Sequence, residues 1–271
     1  MGKNIEINKY KNPNKKHVEN RGVFGNATDY HVYHMTLSDI VMGFLKGFAL
    51  GGAIVFIFFR AMPATLIIGV ISGVIGIFVH KKRLLAKRYE VLLDQFKDLL
   101  EALATSYSSG RNSVEAFGDA YKDLSHIYPE DAYIMVEVGN VLAGVQNNQT
   151  IETMLRDFGE RSGLEDISSF TDVFVETGRQ GGNMTKVIGD ARILINEKID
   201  TEREIRMITH NSKVEFDIMM CIPFFILLII NSDSSMSIVE NTHANIVIKI
   251  VVLSIFGIAY LLAKKMLTVK A

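Results

Sequence analysis

Apolar residues run almost unbroken over Ile40–Phe59 and again over Ala64–Val79, the second run being extended at its start by Ala61 and Met62. A helix rises 1.5 Å per residue, so about 20 such residues cross a hydrocarbon layer of roughly 30 Å. Arg60-Ala61-Met62-Pro63 leaves room only for a tight turn, which predicts a transmembrane hairpin over 37–80 with spans at about 40–59 and 62–79. A second hairpin is predicted over 214–263, from spans at about 216–230 and 246–263. Its first member is the weakest of the four, because Pro223 falls inside an uncharged run that begins only after Asp217. Proline is tolerated inside membranes, yet a run of this length would also suit a buried core helix.

Between the two pairs the pattern becomes that of helices with one polar face. Leu85, Tyr89, Leu92, Phe96, Leu99 and Leu103 recur at alternating intervals of four and three, with Asp94, Gln95, Lys97, Asp98 and Glu101 on the other side. This is the signature of an amphipathic helix, here ending at Ser108-Ser109-Gly110. Asn112 and Glu115 form a capping-box pair that opens the next helix. Pro129–Val145 is predicted as the third helix, since proline suits a first turn. Thr150 caps a fourth that runs to Arg161-Ser162-Gly163, and a fifth spans Glu165–Glu176.

The corner Glu176-Thr177-Gly178-Arg179-Gln180-Gly181-Gly182-Asn183 joins these helices to the second hairpin. Its three glycines are expected to supply the positive φ that a sharp reversal needs. Asn183 is expected to cap a helix that starts at Met184 and continues into the apolar run Ile218–Ile230. The corner has three readings. It is a plain helix–helix turn, a phosphate loop, or a surface on which Glu176, Arg179, Gly181, Gly182 and Asn183 contact a partner. A phosphate loop would follow a strand and end in Gly-Lys-Ser or Gly-Lys-Thr, and neither feature is present.

Charge then orients the chain. The 271 residues carry a net charge of −1, so no global field attracts nucleic acid. Lys81, Lys82, Arg83, Lys87 and Arg88 follow the second apolar run, and Lys264, Lys265 and Lys270 follow the fourth. The connection Asn231–Asn245 has no Lys or Arg and carries Asp233 and Glu240. By the positive-inside rule both termini and the segment 84–213 are cytoplasmic, in a multi-pass protein of the inner or plasma membrane. Lys46 and Lys249 lie near span ends, where long stems can snorkel to the interface. Gly43, Gly47 and Gly51 give the first span a face with almost no side chain, as Gly69, Gly73 and Gly76 do for the second. Small residues at this spacing let helices pack closely in lipid.

The lone Cys221 excludes a disulfide framework or a cysteine metal site. His31 and His34 have no further ligand near them, so no metal or other cofactor is expected. The first 36 residues are polar, Lys/Asn-rich and lack a cleavable signal peptide. They are expected to be disordered or loosely attached to the membrane surface. The tail 264–271 is cytoplasmic in this scheme. A membrane enzyme would need an activated nucleophile, a metal set or paired carboxylates in a pocket, and a transporter would need ionisable residues along an interior path. The histidines are scattered and Lys46 and Lys249, both near span ends, are the only basic residues within the spans, so a small polytopic transporter or a membrane enzyme stands only as the alternative reading.

Three runs of residues also carry a family resemblance. They are Leu99-Leu100-Glu101-Ala102-Leu103 with Ser109-Gly110 and Ser113-Val114-Glu115-Ala116-Phe117; Gly144 with Thr150-Ile151-Glu152-Thr153-Met154-Leu155, Phe158 and Arg161; and Gly181-Gly182-Asn183-Met184 leading into a membrane span. Over about Leu84–Ile230 the chain resembles the domain shared by type II secretion system protein F and the TadB/TadC pilus proteins. A single such domain between two hairpins is similar to the TadB/TadC arrangement. The resemblance implies an all-α membrane protein whose four transmembrane helices flank a cytoplasmic six-helix bundle. It implies a non-enzymatic platform that couples a cytoplasmic secretion ATPase to pilin subunits, beside a second TadB/TadC-like subunit or another copy of itself. It does not account for the Lys/Asn-rich start of the chain.

Overall fold

A computed structural model of the protein describes residues 22–23, 27–59, 61–232 and 243–267. The Lys/Asn-rich stretch up to Arg21, Arg60 of the predicted turn, most of the connection after Asn231 and the last residues of the C-terminal tail lie outside the described residues. The described residues form helices and no β-strand: α1 Leu37–Phe59, α2 Met62–Ser108, α3 Ser113–Ser125, α4 Tyr133–Gln146, α5 Ile151–Ser162, α6 Glu165–Gln180, α7 Met184–Ser232 and α8 His243–Leu267. Among them, α1 and α2 each contain a window long and apolar enough to cross a membrane. Lys249–Leu262 of α8 is a shorter apolar helix, and the third apolar run is the end of α7, with Pro223 inside it.

The second predicted span and the first amphipathic helix are one helix of 47 residues. The change at Lys81-Lys82-Arg83 is one of composition only, because lysine and arginine are good helix formers and nothing there stops the ladder. Pro63 sits in the first turn, where its missing N–H is no loss. The chain divides into two compact units. One comprises the described residues of Met1–His34 with Lys82–Ile199, and the other those of Met35–Lys81 with Asp200–Ala271.

In the first unit, Leu92, Phe96, Leu99 and Leu103 of α2 are buried in one core with Phe117 of α3, Ile134 and Val138 of α4, Phe158 of α5, Phe174 of α6 and Ile188 of α7. Phe96 is central: its ring centroid lies 5.4 Å from that of Phe170 and 6.2 Å from that of Phe158. The opposite side of α2 is less solvated than its polarity suggests. Gln95 is fully buried and its Oε1 accepts the Ile134 N–H at 3.0 Å, while Asp98 accepts from the Tyr128 hydroxyl. Gln95 thereby serves the start of α4. That helix begins at Tyr133 rather than Pro129, because Pro129–Ala132 form a turn closed by the Ala132 N–H on the Pro129 carbonyl at 2.9 Å. Ala132 has no side chain to cap with, so a glutamine 39 positions away takes one of the orphan amides. The caps at Asn112–Glu115 and Thr150 form as their sequences predict.

In the second unit α1 lies directly on the first half of α2. A Cβ added to Gly47 would stand 3.0 Å from Gly76 Cα and 3.1 Å from Gly73 Cα, and Ser72 Oγ donates to the Gly47 carbonyl at 2.7 Å. Gly43 approaches Ile77 Cα, and Gly51 approaches the Ser72 hydroxyl. Gly69 and Gly73 lie under the rings of Phe48 and Phe44, which stack with centroids 6.0 Å apart. Away from this contact α1 and α2 expose Leu45, Leu50, Ile67, Ile71 and Phe78. A contiguous apolar exterior of this kind is unusual for a water-facing surface and suits a bilayer.

Candidate functional site

The corner after α6 is built by one left-handed residue. α6 runs a full turn past Glu176 to Gln180, so Thr177, Gly178 and Arg179 are helical. Gly181, at φ 66° and ψ 29°, ends it. The Gly182 N–H reaches the Thr177 carbonyl at 2.9 Å and the Gly181 N–H reaches that of Gly178, the pair of bonds that defines a Schellman motif. Of the three glycines, then, Gly181 alone supplies positive φ. Gly178 is helical and exposed, and a Cβ there would meet only the movable end of Glu152, at 3.2 Å from its Oε1, where α6 passes the start of α5. Asn183 Oδ1 accepts the Lys186 N–H at 3.0 Å and so caps α7.

Arg179 is exposed in the last turn of α6 and lines a groove with Thr150, Glu152, Thr153 and Arg156 of α5 and its cap. Glu176 Oε1 accepts from Gln180 Nε2 at 2.6 Å instead of pairing with Arg179. Among the described residues neither Arg156 nor Arg179 holds an ion pair. Two free guanidinium groups, each with five donors, therefore border one groove beside the corner, an arrangement suited to carboxylates on a partner. Among the described residues no group of three His, Cys, Asp or Glu side chains is placed to hold a metal ion.

The second polar assembly was not legible as a site. Arg161 and Glu137 are 5% and 2% exposed and form a two-pronged pair, Nη1 to Oε1 at 3.0 Å and Nη2 to Oε2 at 2.7 Å. Asp157 Oδ2 accepts from Arg161 Nε at 2.8 Å. The fourth member, Tyr30, comes from the expected tail: its hydroxyl donates to Glu137 Oε1 at 2.8 Å and its N–H to the Arg161 carbonyl at 3.0 Å. Arg161 Nη1 also reaches the Thr28 carbonyl at 2.9 Å, and Arg88 Nη1 reaches that of Val32 at 2.9 Å. The Arg88 guanidinium lies over the Tyr30 ring at 4.8 Å and the Tyr133 ring at 5.4 Å. His31 Nε2 sits 3.2 Å from the Glu160 carbonyl.

Residues 27–34 are therefore a strap fixed into the core, which corrects the expectation of a loose tail for that stretch. Ala27, Tyr30 and Tyr33 supply the apolar anchors that a reading by mean polarity overlooks. Burial, and then the charge of Glu137 and the hydrogen bond to it, push the Tyr30 phenol well above its usual pKa. Burial alone would lower the Arg161 pKa, but the bonds and charges of Glu137 and Asp157 outweigh it and hold the guanidinium charged. One signal could have disclosed the assembly: Glu137 is the single charge in Tyr133-Ile134-Met135-Val136-Glu137-Val138, and a carboxylate inside an apolar stripe needs partners.

A family model described as Type II secretion system (T2SS), protein F matches residues 99–231. That range takes in α3 to α6, the end of α2 and nearly all of α7. No curated protein and no solved structure matches the chain.

Proposed function

We propose, from the premise that residues 99–231 belong to the type II secretion system protein F family, that the chain is an integral platform protein of a secretion or pilus machine, of the TadB/TadC kind. Proteins of this family are non-catalytic platforms. In this reading four membrane helices in two hairpins flank a cytoplasmic six-helix bundle. The bundle receives motion from a secretion ATPase and passes it to pilin subunits leaving the membrane. A second platform subunit, or another copy of this chain, completes the assembly. The corner residues Glu176, Arg179, Gly181, Gly182 and Asn183 form its contact surface, with Arg179 and Arg156 as the charged elements.

The observation that carries the reading is where the match ends. It continues through α7, a single helix holding both the core residues Ile188, Ile195 and Ile199 and the apolar run beyond Asp217. A family domain whose last helix becomes apolar at its far end suits a bundle tied to a membrane.

Membrane orientation is tested by thiol labelling in intact cells. With Cys221→Ser as background, Ser108→Cys and Ser235→Cys are each treated with an impermeant maleimide. The reading expects labelling at position 235 and none at 108 until the membrane is opened. The reverse pattern contradicts it.

A further inference from the structure

One face of the first unit is neither core nor corner. α6 and α7 run antiparallel and leave between them a groove of about 390 Å³. Its floor is apolar, from buried Phe170 and half-buried Ala191, and its exposed apolar part is Leu194 and Val173, 66% and 51% accessible. Its rim is acidic. Asp166 is held by Lys198 at 2.8 Å, but Glu165 and Asp190 hold no ion pair among the described residues. An apolar trough edged by unpaired carboxylates fits a ligand of opposite pattern, apolar in the middle and basic at its ends.

The chain itself contains such a segment, in the one stretch the platform reading leaves without a role. Up to Arg21 the sequence holds six Lys and Arg against two Glu. Within it Lys3, Ile5, Ile7, Lys9 and Lys11 fall on alternate positions, so an extended chain would present two isoleucines bracketed by lysines on one side. The segment is also within reach. Gly22 lies beside Asp157 and Arg161 of α5, in the same unit as the groove. The 13 residues from Lys9 to Gly22 can span roughly 40 Å, comparable with the full width of a unit of this size.

We propose that Lys3–Lys11 docks in the groove between α6 and α7, with Ile5 and Ile7 on the floor and the lysines on Glu165 and Asp190. The buried strap at 27–34 then acts as the anchor that keeps this segment close to its groove. The proposal does not rest on the platform reading, since the docking would occur in the isolated full-length protein.

The test uses the full chain with benzoylphenylalanine in place of Ile7, reconstituted in vesicles containing phosphatidylglycerol, photolysed and mapped by mass spectrometry. Adducts are expected within Glu165–Ile195 of the same chain, and adducts on a second copy would overturn the proposal. The same-chain adducts should fall about fivefold in roughly 1 M salt, where the screening length shrinks to about 3 Å. They should fall similarly in Glu165→Lys/Asp190→Lys, measured below a melting temperature that Glu165→Lys, in the first turn of α6, lowers by no more than a few degrees. Adding Lys3→Glu/Lys9→Glu to that variant should restore them. Adducts chiefly on lipid would assign the segment to the membrane surface and overturn the proposal. Adducts elsewhere on the protein, or none, would overturn it equally.

Discussion

Replacing Arg161 with Met is expected to destabilise the first unit by about 3–5 kcal/mol, the range for removing one partner of a buried ion pair. The change leaves Glu137, only 2% exposed, with the Tyr30 hydroxyl as its remaining donor. It also removes the side-chain bond to the Thr28 carbonyl. For a unit of this size the loss corresponds to roughly 10 °C or more in Tm. A structural reading makes a second demand. Because Arg161 holds the strap at Thr28, the variant should show faster proteolysis or amide exchange around residues 27–34 before global unfolding. Adding Glu137→Leu and Tyr30→Phe should recover most of the loss, since an apolar replacement of the whole network removes the stranded charge. A variant that melts like the parent and keeps the strap protected would show that the apolar anchors alone hold it.

Replacing Gly47 with Leu is expected to disrupt the α1–α2 pair, by about 1–3 kcal/mol if the helices can separate locally and by more if they cannot. The new side chain meets backbone rather than a movable side-chain end: Gly76 Cα at 3.0 Å, Gly73 Cα at 3.1 Å and the Ser72 carbonyl. Moving α1 outward to make room breaks the Ser72 hydrogen bond to the Gly47 carbonyl. Leu50→Ala, at a position 69% exposed on the same helix, serves as the comparison. Thermal melting in detergent should drop clearly for the first and little for the second. Equal melting temperatures would remove the case for a glycine-lined contact.

Periodicity made most of the helical order legible. The stripe from Leu92 to Leu103, the caps at Asn112 and Thr150, and the αL stop at Gly163 each arise from local chemistry acting within four residues. The features that escaped depend on contacts far apart in the chain. Gln95 reads as a solvated residue until Ile134 is placed beside it. The helix expected from Pro129 starts at Tyr133 because Pro129–Ala132 form a turn, and its cap then comes from Gln95 of another helix. Tyr30 lies 107 positions from Glu137, and no pattern in the polar start of the chain reports that pairing. At the corner, the glycines are readable as a turn, but not that Gly181 alone takes the left-handed conformation while Gly178 stays helical. Arg179 was legible as exposed, whereas its neighbour Arg156 joins it only through the crossing of α5 and α6.

The central claim, that the chain is a platform driven by a cytoplasmic ATPase, is tested most directly by purifying the full-length protein from its native membranes and identifying what accompanies it. The parent protein should bring down a secretion ATPase. Arg179→Glu should insert and melt like the parent, because an exposed charge without an ion pair contributes little to folding, yet lose most of the ATPase as attraction becomes repulsion. Full retention of the ATPase by Arg179→Glu would move the contact surface away from the corner. A parent protein recovered from native membranes without any secretion ATPase would contradict the account itself.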